Sequence, residues 1–211
     1  MSAPVSLVVP LRRLDEAKSR LAAVLTAPER VVLARACATS VLTCGLRAFV
    51  VCDDPDTADF GRQLGATPIM VSARGLNPAL TEATPIVRAI DATAATMIAH
   101  ADLPFGGDLM TLAEESDLAD RDVVIVPDRH GDGTNVLIVG AGLIDAWVFA
   151  YGPGSFAAHH ELARRLEARV TVVEHPRLNL DLDTADDLTD PRVVDFVATH
   201  LGRALAEERA T

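Results

Sequence analysis

Apolar residues in this chain recur with two periods, and the alternation of those periods predicts an order of elements. Val5 to Val9 reads as a buried first strand, ended by Pro10. A basic stretch with Arg12, Arg13, Lys18 and Arg20 follows. An amphipathic helix then runs from about Pro28 to Thr43, with proline in its first turn. Ala48 to Val51 is a second strand, and Asp53-Asp54-Pro55 opens the next helix with acidic caps. Ile69 to Val71 is a third strand. Leu76 to about Ala95 is helical by period, with Pro78 and Pro85 restricting its start, and Thr96 to Ala101 is a fourth strand ending at Asp102. Gly107 to Glu115 is helical. Two further strands, Val123 to Val126 and Val136 to Val139, flank a polar loop. Trp147 to Ala150 reads as another strand, Ser155 to Ala168 as helix, Val170 to Val173 as strand and Pro191 to Glu208 as a last helix.

Strands that alternate with helices through the first half predict an α/β fold, a mostly parallel sheet with helices on both faces, built as one domain over residues 1–211. The closer spacing of strands between Val123 and Ala150 leaves room for antiparallel pairing. In such sheets ligands bind outside the carboxyl ends of the strands. Asp102, Asp128 and Asp181 each follow an apolar run, which places them at one rim.

Composition narrows the chemistry. The formal net charge of −11 argues against a nucleic-acid partner, which needs a basic face. It is compatible with a nucleotide, since a few local cations and a metal can hold a triphosphate against the overall field. Cys37, Cys44 and Cys52 lack a CxxC spacing and read as reduced thiols of a cytoplasmic protein. No apolar run is long enough for a membrane span, and Val5 to Val9 is too short for a signal segment.

Several motifs carry candidate chemistry, each with a structural alternative. The loop Pro127-Asp128-Arg129-His130-Gly131-Asp132-Gly133-Thr134-Asn135 is either a plain hairpin turn or a cradle of backbone N–H groups for an anion. Asp102 is either a hard oxygen ligand for magnesium or a helix cap. Asp181 and Asp183, two residues apart in an extended segment, point the same way and repel unless a cation or proton sits between them. In the structural alternative Asp183 and Thr184 open a helix. Lys18 and Arg20 can meet phosphates as side-chain charges, whereas no P-loop and no G-x-G-x-x-G is present. Tyr151-Gly152-Pro153-Gly154-Ser155-Phe156 leads into a helix whose start welcomes an anion, with His159 and His160 one turn on. Asn77 either caps a helix or reads a base edge.

In order along the chain, these pieces resemble the guanylyltransferases of coenzyme F420 biosynthesis, the family acting on 2-phospho-L-lactate, phosphoenolpyruvate or 3-phospho-D-glycerate. The resemblance runs from Val9 to Leu188. It rests on Pro10-Leu11-Arg12-Arg13-Leu14, Ala17-Lys18-Ser19-Arg20-Leu21, Leu76-Asn77, Ala101-Asp102-Leu103-Pro104, the Pro127 to Asn135 loop, Gly152 to Phe156 with His159, and Asp181-Leu182-Asp183-Thr184. It implies the Rossmann-like nucleotidyltransferase architecture shared with the molybdenum-cofactor guanylyltransferases. It further implies that Asp102, Asp181 and Asp183 are the catalytic, magnesium-binding carboxylates. Thr134, Gly152 and Ser155 would hold the phosphorylated acid, and Lys18, Arg12, Arg20 and Asn77 the GTP. The product would pass to a downstream transferase of the F420 pathway.

The sequence departs from the family where Arg12 replaces a common Lys, Asp132 a frequent Thr and Pro78 a small residue. Asp132 beside an anionic acid is repulsive unless it faces away, meets metal or accepts a substrate hydroxyl, and the last option would favour phosphoglycerate. A nucleotidyltransferase for a sugar phosphate or molybdopterin, and a non-catalytic nucleotide-binding module, are the competing readings. The last helix packs either on its own domain or on a second copy in a homodimer.

Overall fold

Alternate residues of each strand enter opposite cores, and this period sets the layers of the molecule. The computed structural model describes residues 4–14 and 18–203, so Ala17 of the basic motif and the expected helix beyond residue 203 lie outside the described residues. Strands β1 (Val5–Pro10), β2 (Arg47–Cys52), β3 (Thr67–Met70), β4 (Ala95–Ala99), β5 (Asp122–Pro127), β6 (Thr134–Val139) and β7 (Arg169–Val172) form one sheet in the order β3-β2-β1-β4-β6-β5-β7. All pairings are parallel except those of β6 with β4 and β5. The antiparallel pair expected of the second half is therefore the β5–β6 hairpin.

Leu7, Val9, Val50, Met97 and Val136 face one core, closed by α1 (Ala27–Leu42), α2 (Pro55–Gln63) and α4 (Asp108–Glu115). Val8, Phe49, Ile98, Ile125 and Leu137 face the other, closed by α3 (Leu76–Ile90) and α5 (Ser155–Arg165). A third cluster packs α6 (Val194–Leu201) and the Leu180/Leu182 segment against the far side of α1 through Leu33 and Cys37. Helix starts follow local chemistry. Thr26 and Glu29 form a capping box on α1, and Asp54 accepts the Thr57 N–H at 2.9 Å on α2.

Three expected elements differ. Trp147 to Ala150 is not a strand: Trp147 and Phe149 are buried and Val148 exposed, but side chains replace a neighbouring strand. The Ala150 N–H donates to His159 Nε2 at 3.1 Å and the Tyr151 N–H to Asn77 Oδ1 at 2.8 Å. Helix α3 stops at Ile90, because Asp91 is tied to β1 by the Ser6 hydroxyl at 2.7 Å. Helix α6 starts at Val194, since Asp190 accepts the Arg192 N–H at 2.9 Å and holds the preceding residues in a turn. Among the described residues no helix is long and apolar enough to cross a membrane.

Candidate active site

A cleft of about 670 Å³ lies across the carboxyl ends of β4, β1 and β2, with the β3–α3 loop as its far wall. Strand β4 ends at Ala99, so His100, Ala101 and Asp102 turn out at the rim. The extended segment that carries Asp181 and Asp183 is held beside them. The Leu182 N–H donates to the Asp102 carbonyl at 3.1 Å, and Asn135 Nδ2 on β6 donates to the Leu178 carbonyl at 3.2 Å. Leu180 and Leu182 are fully buried, so the period of two turns both aspartates away from the third core.

Asp102 Oδ1 is buried with no hydrogen-bond partner. Burial first, and the Asp102 charge second, push the Asp181 carboxyl up from its ordinary 3.8 to about 6. Both carboxylates are half-buried, and Asp181 Oδ1 accepts only a long bond from Asn135 Nδ2 at 3.5 Å, so the pair fits a divalent cation, which would supply the countercharge it lacks. Asp183 differs, because its Oδ2 accepts a bond from Arg20 at 2.7 Å. Among the described residues no three Asp, Glu, His or Cys side chains converge into a ready-made metal cage. Asp102 and Asp181 are thus the pair that would hold a cation, with Asp183 able to join by releasing Arg20.

The cations expected of the β1–α1 segment reach the cleft. Arg12, Lys18 and Arg20 all line it. Lys18 sits in left-handed backbone at φ 56°, and its ammonium donates to the Leu182 carbonyl, which ties the basic segment to the aspartate segment.

Other expected site residues are placed differently. The β5–β6 loop does form a nest of N–H groups, but its anion is its own. Asp128 accepts from His130, Asp132 and Gly133 at 3.0, 3.0 and 2.9 Å. A Cβ at Gly133 would lie 2.7 Å from Asp128 Oδ2, so this closure needs glycine there. The loop is therefore a self-satisfied hairpin turn and not an anion cradle.

Thr134 is 1% exposed. His159 Nε2 accepts from Ala150, so its Nδ1 carries the proton and donates to Thr134 Oγ1 at 3.1 Å. Burial, with His100 nearby, holds the His159 pKa down to about 4. Ser155 is buried in the first turn of α5, whereas Gly152 is exposed at φ 131°. Asp132 does not line the cleft, and its Oδ2 accepts the Gly154 N–H at 3.0 Å. Asn77 ties each end of its amide to the Tyr151 backbone, at 2.9 and 2.8 Å, and is not among the residues that line the cleft. Thr184 opens no long helix. Asp187 instead accepts its N–H and that of Asp183, at 2.6 and 3.0 Å, while Arg129 pairs with Asp187 at 2.5 Å.

Three features at the cleft lie outside the sequence motifs. His100 has a buried, unpartnered Nε2 and a ring 5.3 Å from that of Tyr151. Asp53 lines the cleft although its sequence context marked it only as a cap. Glu82 fixes the β3–α3 loop by accepting the Ser72 and Ala73 N–H groups at 2.9 and 2.8 Å. Asp–Asp–Pro at a strand end was the one local signal, and it could not tell which carboxylate caps.

A family model described as guanylyl transferase CofC like matches residues 5–193. The chain is 38% identical over 192 residues to the phosphoenolpyruvate guanylyltransferase of Rubrobacter xylanophilus, a match that covers 86% of this chain and 90% of the other. It is 28% identical over 184 residues to the 2-phospho-L-lactate guanylyltransferase of Methanocaldococcus infernus, covering 86% and 81%. A solved nucleotidyl transferase from Methanothermobacter thermautotroptrophicus superposes with a TM-score of 0.62 at 19% identity, over 93% of this chain and 98% of that one, a likeness of fold.

Proposed function

The chain belongs to the CofC-like guanylyl transferase family, and we propose that it transfers GMP from GTP to the phosphate of a phosphorylated three-carbon acid, with release of pyrophosphate. The observation that carries this reading is the match at 38% identity to a phosphoenolpyruvate guanylyltransferase, which supports phosphoenolpyruvate as the acceptor to test first. The expected setting is F420 biosynthesis, where a downstream transferase would consume the product.

In the reaction an acceptor phosphate oxygen forms a bond to the α-phosphorus of GTP as the α–β anhydride bond breaks. The nucleophile is already anionic, so positioning and charge neutralisation dominate over proton transfer. Arg12, Lys18 and Arg20 supply positive charge to the triphosphate. Asp102 and Asp181, with Asp183, would hold magnesium, which when bound neutralises charge on the reacting phosphates. Arg20, held by Asp183 until the cation takes that carboxylate, is then free for the phosphates, and the Lys18–Leu182 bond keeps the cationic and anionic segments in register. The acceptor is assigned to the adjoining rim at Gly152 to Ser155. There Gly152 is exposed backbone, and Thr134 and Ser155 are buried.

The test is pyrophosphate release from GTP, and separately from ATP, with phosphoenolpyruvate, 2-phospho-L-lactate and 3-phospho-D-glycerate in parallel, with the downstream transferase present to trap an unstable product. Release from GTP with phosphoenolpyruvate is expected. No release with any of the three acids, magnesium present, overturns the reading.

A further inference from the structure

The cleft is chemically lopsided. It crosses the sheet in the order β4, β1, β2, β3, which at about 4.8 Å per strand spans roughly 14 Å. Lys18, Arg20, Asp102 and Asp183 gather at the β1–β4 half. The β2–β3 half is walled by Cys52, Val71, Leu76 and Ala79. A triphosphate belongs at the first half, and the flat apolar base at the second.

Asp53 is the single carboxylate among the described residues lining that second half. It is exposed, and neither a hydrogen bond nor an ion pair occupies it among the described residues. Its neighbour Asp54 is committed to the α2 cap. The facing wall is rigid: Glu82 pins Ser72 and Ala73, and Gly75 at φ 95° turns the chain into α3. A carboxylate there would repel phosphate, but guanine offers it two adjacent donors, N1–H and the exocyclic N2 amine. Adenine presents an acceptor at N1 and has no amine at C2.

We infer that Asp53 reads the guanine edge of the bound nucleotide and separates GTP from ATP. The inference rests on the guanylyl-transfer reading above and concerns the base alone.

The test uses the full chain and Asp53→Asn, with equilibrium binding of GTP, ATP and xanthosine triphosphate measured without acceptor, alongside pyrophosphate release with phosphoenolpyruvate. Xanthine carries a carbonyl where guanine carries the amine, so an amide at position 53 matches it. GTP binding should weaken about tenfold or more, xanthosine triphosphate binding should tighten, and ATP binding should hold or tighten, because the amide can donate to adenine N1. Equal weakening of all three nucleotides, or an unaltered preference for GTP, overturns the inference. If the binding preference switches but no acid supports pyrophosphate release, the acceptor reading fails and the inference stands. If the wild type turns over GTP and the preference does not switch, the inference alone fails.

Discussion

Replacing Asp181 by Asn should stabilise the protein while removing its activity. In the folded state burial and the Asp102 charge raise the Asp181 carboxyl from 3.8 to about 6. The folded state therefore binds the proton more tightly than the unfolded one. Stability from this group is fully present below pH 4 and is lost as the pH rises through about 6. The rise corresponds to about 3 kcal/mol of strain in the ionised form at pH 7.5. For a chain of this size that is roughly 6–12 °C in melting temperature. Asp181→Asn carries no charge and should escape this loss, melting higher than wild type at pH 7.5 and nearly level with it at pH 4. Magnesium should narrow the gap at pH 7.5 by stabilising the wild type, and leave it unchanged at pH 4, where the pair holds a proton. Thermal unfolding of both proteins at the two pH values, with and without magnesium, measures all of this. A gap no larger at pH 7.5 than at pH 4 would refute the reasoning.

Arg20→Ala breaks a pair whose side chains are 72% and 36% exposed, so stability should move by less than about 1 kcal/mol while pyrophosphate release falls about tenfold or more. Asp128→Ala strands three N–H groups in the hairpin and should cost about 1–2 kcal/mol in urea unfolding, with nucleotide affinity unchanged because those groups serve no ligand. His159, held down to about 4, should stay neutral in an NMR titration to pH 5, and it works against stability only as the pH falls from about 6.5 toward 4. Gly106→Ala sets a Cβ 2.4 Å from the Val41 Cα of α1 and should destabilise by about 1–3 kcal/mol or more in the same unfolding assay.

Much of the fold was legible because it depends on local periods. The run Val5 to Val9 and the hairpin strands around the polar loop alternate between two cores, and no partner is needed to read that alternation. Trp147 to Ala150 shows where period alone misleads. Its alternation is real, but a strand also needs a backbone neighbour, and His159 and Asn77 took that place. The candidate site was legible in its charged residues: Arg12, Lys18, Arg20, Asp102 and Asp183 do meet at one cleft.

By itself the sequence determined which residue types were available at the strand ends, and hence that cations and carboxylates would share a rim. The tertiary structure decided which of them remain free. Asp128, Asp132 and Asp187 look as able to serve a ligand as Asp53 or Asp102, yet the first three are consumed by backbone N–H groups within reach. Asp102 keeps a buried oxygen unpaired, and Asp53 has no partner among the described residues. The reason is geometric. A hydrogen bond forms or fails over a few tenths of an ångström, and only the packed fold sets distances that fine.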